Sequence, residues 1–297
     1  MSFSENSKGL YAGLFCFVFW GFAPLYFKLL QHVPALNIIA HRIVWSAIFL
    51  LLFLALRERK KLLEALKISR KQLLILFISG SLIIINWLIF VWAVNDGQIL
   101  ATSLGYFINP LVNIFLGMLF LQERLNKVQK IALIIAAAST CYLGIFIGQP
   151  PWIALALAVT FGLYGLVRKK LDVRPLAGLF WETSLLFIPA LALLMVLPTN
   201  SSALMLDSDT IWLLVFSGLI TVLPLIGFNY AAKRLTLTLI GFLQYIAPTI
   251  SFLIAVIFYD EAFTFGHQVA FTGIWTALLI ISIHSLRTSQ QKPNTIN

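Results

Sequence analysis

Apolar residues run along this chain in ten long stretches, and polar residues are confined to the short intervals between them. The stretches cover 9–30, 35–56, 73–95, 99–121, 128–147, 151–170, 176–197, 210–232, 236–259 and 264–286. A helix that crosses the hydrocarbon core of a bilayer takes about 20 such residues. No water is present there to pair backbone N–H and C=O groups, so a run of this length in lipid closes its hydrogen bonds internally, as a helix. Pro34, Pro150, Pro151, Pro175 and Pro198 fall at the joints, where a missing N–H costs least. The pattern predicts an all-α integral membrane protein of ten transmembrane helices.

Composition supports that reading: 60% of the 297 residues are hydrophobic and 11% charged, against about 45–50% and about 25% in soluble domains. A net charge of +10 raises the question of nucleic acid. The basic residues answer it by their placement. All of the 21 except Lys28 and Arg42 lie in the N-terminal tail or in every second connection, and aromatics for stacking bases are missing from those clusters. Alternation of this kind is the positive-inside pattern, which predicts cytoplasmic termini and no nucleic-acid partner. The first run, with Lys8 as its only early base, is too long for the core of a cleaved signal. Cys16 and Cys141 lie inside apolar runs and are expected as small buried hydrophobes.

The two halves match each other. An offset of 138 lays Phe90 on Phe228, Ala93 on Ala231, Ile108 on Ile246, Pro110 on Pro248 and Glu123 on Glu261; an offset of 141 lays WGFAPLYFK from Trp20 on FGLYGLVRK from Phe161, Pro34 on Pro175 and His41 on Glu182. Each half holds five spans, an odd number, so the second is inverted. The expected organisation is a first repeat over 8–147, a second over 151–286 and a short cytoplasmic tail over 287–297. Inverted repeats are the architecture of secondary transporters, with substrate bound near the midplane between them.

The stretches FWGFAPLYFK (19–28), HRIVWS (41–46), NWLIFVWAVN (86–95), SLGYFINPLVNIFLGMLFLQER (103–124), YGLVRKK (164–170) and QYIAPT (244–249) resemble EamA-type exporters of the drug/metabolite transporter superfamily, close to the RarD subgroup. The resemblance spans about Lys8 to Leu286. It implies a bacterial inner-membrane carrier whose central cavity is lined by helices 1–4 and 6–9, with helices 5 and 10 peripheral. It also implies export with proton coupling or exchange, and favours Lys28 at the cavity mouth, although snorkelling is easy at that end of the span; Gln244 and Tyr245 are further substrate-binding candidates.

Candidate chemistry concentrates in three places. In the fourth span Ser103, Tyr106, Pro110, Asn113 and Gly117 share one helical face, bordered by Asn109; Gly241, Gln244, Pro248, Ser251 and Ala255 form its counterpart in the ninth. Pro110 and Pro248 each free a carbonyl mid-span, and broken backbone is tolerated where it lines a cavity or is buried in protein, so both readings stay open. His41-Arg42 lies about 10 Å below one surface, and Glu182 lies equally deep below the other. Ionisable groups at such depth are costly unless paired or hydrated. One reading has Arg42 hold a substrate anion or carboxylate while Glu182 carries a coupling proton; the other is a structural Arg42–Glu182 ion pair, or Arg42 snorkelling to the outer headgroups. Trp20, Trp45, Trp87 and Trp92 suit either a pocket for an apolar solute or packing. No P-loop, HExxH, GxSxG or paired-cysteine motif is present, so neither enzyme, metal nor cofactor is expected. A passive channel is the alternative to a carrier, and an intramembrane enzyme using His41 and Glu182 is a more distant one.

Overall fold

A proline within a span either breaks the helix or bends it, and both outcomes occur here. The computed structural model describes residues 5–60, 67–95, 99–147, 152–196, 208–258 and 264–290, and among these there is no strand. The first span is two helices, α1 (Glu5–Gly21) and α2 (Ala23–Leu29), separated at Phe22 with Pro24 in the first turn of α2. Then follow α3 (Ala35–Arg57), α4 (Arg70–Asn95), α5 (Ile99–Leu121), α6 (Lys127–Ile147), α7 (Trp152–Lys170), α8 (Pro175–Val196) and α9 (Ser208–Arg234). The ninth span is again broken, at Tyr245, into α10 (Leu237–Gln244) and α11 (Ile246–Phe258), and α12 (Phe265–Gln290) closes the chain.

Both breaks lie within three residues before a proline, Pro24 and Pro248, whose rings exclude the carbonyls of Trp20 and Gln244 four residues earlier. The fourth span departs from expectation, since α5 runs unbroken through Pro110. Packing holds it: Gly241 lies against the Pro110 carbonyl so closely that a Cβ there would sit 2.8 Å from the oxygen.

Eight of the described helices are long and apolar enough to cross a membrane, and two shorter apolar stretches, Gly105–Leu121 and Gln268–Ile281, stand in the places of the fourth and tenth spans. Large side chains such as Leu56, Ile145, Ile188 and Val196 are exposed along the outside, which suits acyl chains and not water. Cys16 is buried as expected, whereas Cys141 is exposed on the outward face of α6.

The packing is symmetric under exchange of spans five apart. α1 packs on α9 as α4 packs on α7; α3 on α9 as α4 on α8; α1 on α11 as α7 on α5. The pairs α3–α8, α5–α10 and α6–α12 map onto themselves. Trp20 and Phe161, laid together by the 141 offset, touch edge-on with ring centroids 5.8 Å apart, so the pseudo-axis passes near them. Around them Phe17, Tyr164 and Phe228 complete an aromatic core. α6 and α12 sit at the periphery, joined through Ala132, Ala136, Ala270, Phe271 and Ala277.

The helix ends form two groups, one bearing the basic residues. There, two lysines cross between helices: Lys169 Nζ donates to the Ala232 carbonyl at 3.2 Å and to that of Leu235, while Lys233 Nζ donates to the Lys169 carbonyl at 3.3 Å and to that of Leu171. At the same end the Glu123 carboxylate accepts from the Leu237 and Thr238 backbone N–H groups at 2.8 and 2.9 Å, satisfying the open N-terminus of α10. Glu261, its counterpart in the other repeat, lies outside the described residues.

Candidate functional site

Three polar centres lie inside the bundle. The first is Arg42 on α3, 7% exposed. Its guanidinium stacks over Trp87 with the carbon 4.1 Å from the ring centroid, has Phe27 at 5.1 Å, and donates from Nε to Thr221 Oγ1 at 2.8 Å. These partners come from α4, α2 and α9, so four helices converge on one charge. Among the described residues no carboxylate pairs with Arg42, and its two terminal nitrogens donate no hydrogen bond. A cation held this way is stabilised by ring quadrupoles, not by a counter-ion.

The second centre is Glu182 on α8, 3% exposed. Ser79 of α4 donates to its Oε1, and Arg168 of α7, itself 1% exposed, approaches the same oxygen with Nε at 3.6 Å. Arg168 also donates to Asn229 Oδ1 at 3.0 Å and to the Pro175 carbonyl at 3.2 Å, and Asn229 donates to the Tyr164 hydroxyl at 3.0 Å. Gly178 gives the guanidinium its place, since a Cβ there would overlap Nη1. Among the described residues two buried atoms find no hydrogen-bond partner, Arg168 Nη1 and Glu182 Oε2.

A narrow crevice joins these centres. Glu182 and Thr183 of α8, Gly80 and Trp87 of α4, Ser46 of α3 and Thr221 of α9 line it. It has room for about one water. The symmetry-related glycines beside it are packed unequally. A Cβ on Gly218 would lie 2.7 Å from Trp45 backbone, whereas one on Gly80 would lie 3.4 Å from the Glu182 carbonyl oxygen. The α3–α9 contact is therefore the tighter of the two, and Ser46 Oγ fastens it by donating to the Gly218 carbonyl at 3.2 Å.

The third centre joins the repeats directly: Asn113 of α5 donates to Gln244 of α10. The Asn113 and Asn109 side-chain oxygens are buried without partners.

The EamA-like transporter family model matches residues 7–145 and again 151–283. This chain belongs to the EamA-like transporter family. An uncharacterized transporter of Vibrio cholerae is 42% identical over 95% of this chain and 94% of its own length. The uncharacterized transporter YojE of Bacillus subtilis is 42% identical, covering 97% of both chains. Protein RarD of Escherichia coli K12 is 40% identical over 98% of this chain and 99% of its own. A solved crystal structure with 18% identity superposes with a TM-score of 0.72, covering 94% of this chain and 98% of that one, which establishes the shared fold. This EamA-like chain is a multi-pass bacterial membrane transporter of RarD type.

The residues singled out from the sequence divide among these centres. Glu182 lines the crevice and Arg42 rests on two of its lining residues, Trp87 and Thr221, but the two charges do not pair with each other; Glu182 takes Arg168 instead. His41, next to Arg42 on α3, is half-buried with no hydrogen bond among the described residues. Trp20 is in the aromatic core, 5.7 Å from Phe17 and 5.9 Å from Phe228. Lys28 is exposed at the end of α2. Tyr106 packs on Phe90 at 5.5 Å. Tyr245, at the helix break, turns instead toward the peripheral helices, beside Phe107 and Phe271. Pro110 is buried and Pro248 half-buried. The Ser103 and Ala255 side chains lie outside the described residues.

Arg168 was hidden by its surroundings, counted with Lys169 and Lys170 as an anchor in a basic connection. A signal was available: Phe161, Tyr164, Gly165 and Arg168 fall at helical steps, so Arg168 continues the buried face while its two neighbours leave it. Asn229, Ser79 and Thr221 carried no such signal.

Proposed function

We propose that this transporter is a secondary carrier that exports a small organic anion with an apolar or aromatic part, by alternating access between its two inverted repeats. Both termini and the basic end lie in the cytoplasm, Arg42 receives the anion, and Glu182 carries a proton. One observation supports this above others: Arg42 is buried, has its Nε bonded and its guanidinium against the Trp87 ring, and among the described residues donates no hydrogen bond from its planar fork of terminal nitrogens. That fork matches a carboxylate with two parallel hydrogen bonds, and the surrounding Trp87 and Phe27 rings suit the ligand's apolar part.

The test is transport by the purified chain in liposomes, read with a metabolite-resolved mixture of organic acids. A carrier accumulates its substrate against a gradient, or exchanges labelled for unlabelled substrate. A channel only dissipates the gradient, and an enzyme returns an altered molecule; either result sinks the reading. Arg42→Lys keeps the charge but loses the fork, and is expected to weaken uptake of an anion. Glu182→Gln is expected to abolish pH-driven transport while exchange persists. Normal transport by both variants at every pH would return the two charges to the scaffold.

A further inference from the structure

Arg168 and Glu182 make an unfinished pair. The closest approach, 3.6 Å, is longer than the 2.7–2.9 Å typical of a charge-assisted N–H···O bond, and among the described residues each partner keeps one buried atom, Nη1 and Oε2, without a hydrogen bond. Such atoms are costly unless something completes them. Glu182 also lines the crevice, together with Trp87 and Thr221, the partners of Arg42. An anion in an enlarged form of this crevice would therefore lie between two guanidinium groups, one of which is already occupied by a carboxylate of the protein.

We propose that Arg168 is a second anion-binding residue whose place is held by Glu182, so that the protein binds an organic anion and a proton together. This rests on the reading of Arg42 as the anion's first contact. When Glu182 takes up a proton it no longer neutralises Arg168, and the ligand carboxylate takes its place on the guanidinium. The charge balance is conserved. Arg42, Arg168 and ionised Glu182 sum to one positive charge; with Glu182 protonated and a monoanion bound, the sum is again one. Buried charge is expensive to change, so this exchange is the favoured one. A cationic ligand has no equivalent move, because the carboxylate it would seek is engaged by Arg168. The site thus selects carboxylates over lipophilic cations.

The groups facing Glu182 permit this exchange. Arg168 and Tyr164 face it from α7, Ser79 from α4, and the crevice side of α3 offers Ser46 and Ile43 without charge. From α9, Asn229 and Lys233 act on Arg168, and Lys233 is anchored on the Leu171 carbonyl. Among the described residues no second carboxylate stands in for Glu182.

The experiment uses the full chain in detergent, with benzoate as the anion and tetraphenylphosphonium as the cation, followed by calorimetry and a pH-indicator dye. Benzoate stays ionised between about pH 6 and pH 8. Expected for the unaltered protein is uptake of a proton with each benzoate bound, and an affinity falling by up to about tenfold per pH unit as Glu182 ionises. Glu182→Gln is expected to bind benzoate tightly at all these pH values with no proton uptake. Arg168→Lys keeps a cation for Glu182, and is expected to bind benzoate about tenfold more weakly for want of the fork. Tetraphenylphosphonium is expected neither to bind nor to compete. Benzoate binding that depends on Arg42 but ignores pH, or proton uptake that persists in Glu182→Gln, overturns the coupling and leaves the carrier reading standing. Unchanged affinity in Arg168→Lys removes Arg168 from the site. Failure of benzoate to bind at any pH brings down both this proposal and the anion-carrier reading, and binding of the cation instead reverses the selectivity.

Discussion

The Arg42 centre and the Glu182 centre occupy related levels of opposite repeats, yet they solve the problem of a buried charge in opposite ways. Arg42 is held by two aromatic rings and one hydroxyl, with no counter-ion among the described residues. Glu182 is held by a hydroxyl and an arginine, and that arginine is in turn held by an amide and a backbone carbonyl. The offset that lays His41 on Glu182 also lays Phe27 on Arg168. One repeat thus has a ring where the other has a cation, and the charge it faces changes sign accordingly. Duplication supplied the same backbone twice, and divergence of a few side chains left one site a cation without a counter-ion among the described residues and made the other self-neutralised.

The comparison assumes that the two centres face opposite sides of the membrane, and labelling tests this in an all-or-none way. A cysteine at Gln31 is expected to react with an impermeant maleimide added to intact cells, and one at Asp172 is expected to be silent. The opposite result exchanges the two sides and reverses every assignment of inner and outer. The connections around Lys61, Gln149 and Ser202, which the charge pattern also assigns to sides, lie outside the described residues.

Next in size is the cost of breaking the self-neutralised centre. Arg168→Leu leaves Glu182 buried without its cation, an expected loss of about 3–5 kcal/mol, read from unfolding in detergent. Arg168→Leu with Glu182→Leu is expected to recover most of it, since removing both charges removes the desolvation problem. Arg42→Leu sharpens the contrast. It strands no partner charge, so stability is expected to change by about 1–2 kcal/mol while anion transport in liposomes falls by more than about tenfold. If it destabilises as much as Arg168→Leu, the two centres are not different in kind. The smallest effect belongs to Trp87→Leu, which removes one ring from Arg42 and is expected to weaken anion affinity by about threefold to tenfold, as a stacking contribution of about 1 kcal/mol requires.

Much of this architecture is legible in the residues alone, because lipid enforces a simple rule: runs such as 35–56 and 176–197 admit helices and little else. Arg42 stood out for the same reason, as the single Lys or Arg between Lys28 and Arg57. Arg168 did not, because three basic residues in a row look alike until the helix winds each to a different direction. Partnership was harder still. That Glu182 meets Arg168 and not Arg42 depends on how α7, α8 and α9 cross, and on Gly178 leaving room for a guanidinium. No spacing along the chain encodes a crossing. The break at Tyr245 and the continuity at Pro110 are likewise settled by neighbours, since proline removes the same hydrogen bond in both.

The crossed lysines at the basic end have a mechanical consequence. Lys169 and Lys233 each grip the other helix's terminal carbonyls, so α7 and α9 are pinned where they leave the membrane. A pinned joint transmits rotation but resists separation. Any rocking that widens the crevice must carry these two helices as one lever, with its fulcrum at the cytoplasmic edge under the proposed orientation. The seam that yields is then α4 against α8, where the backbones approach less closely at Gly80 than those of α3 and α9 do at Gly218.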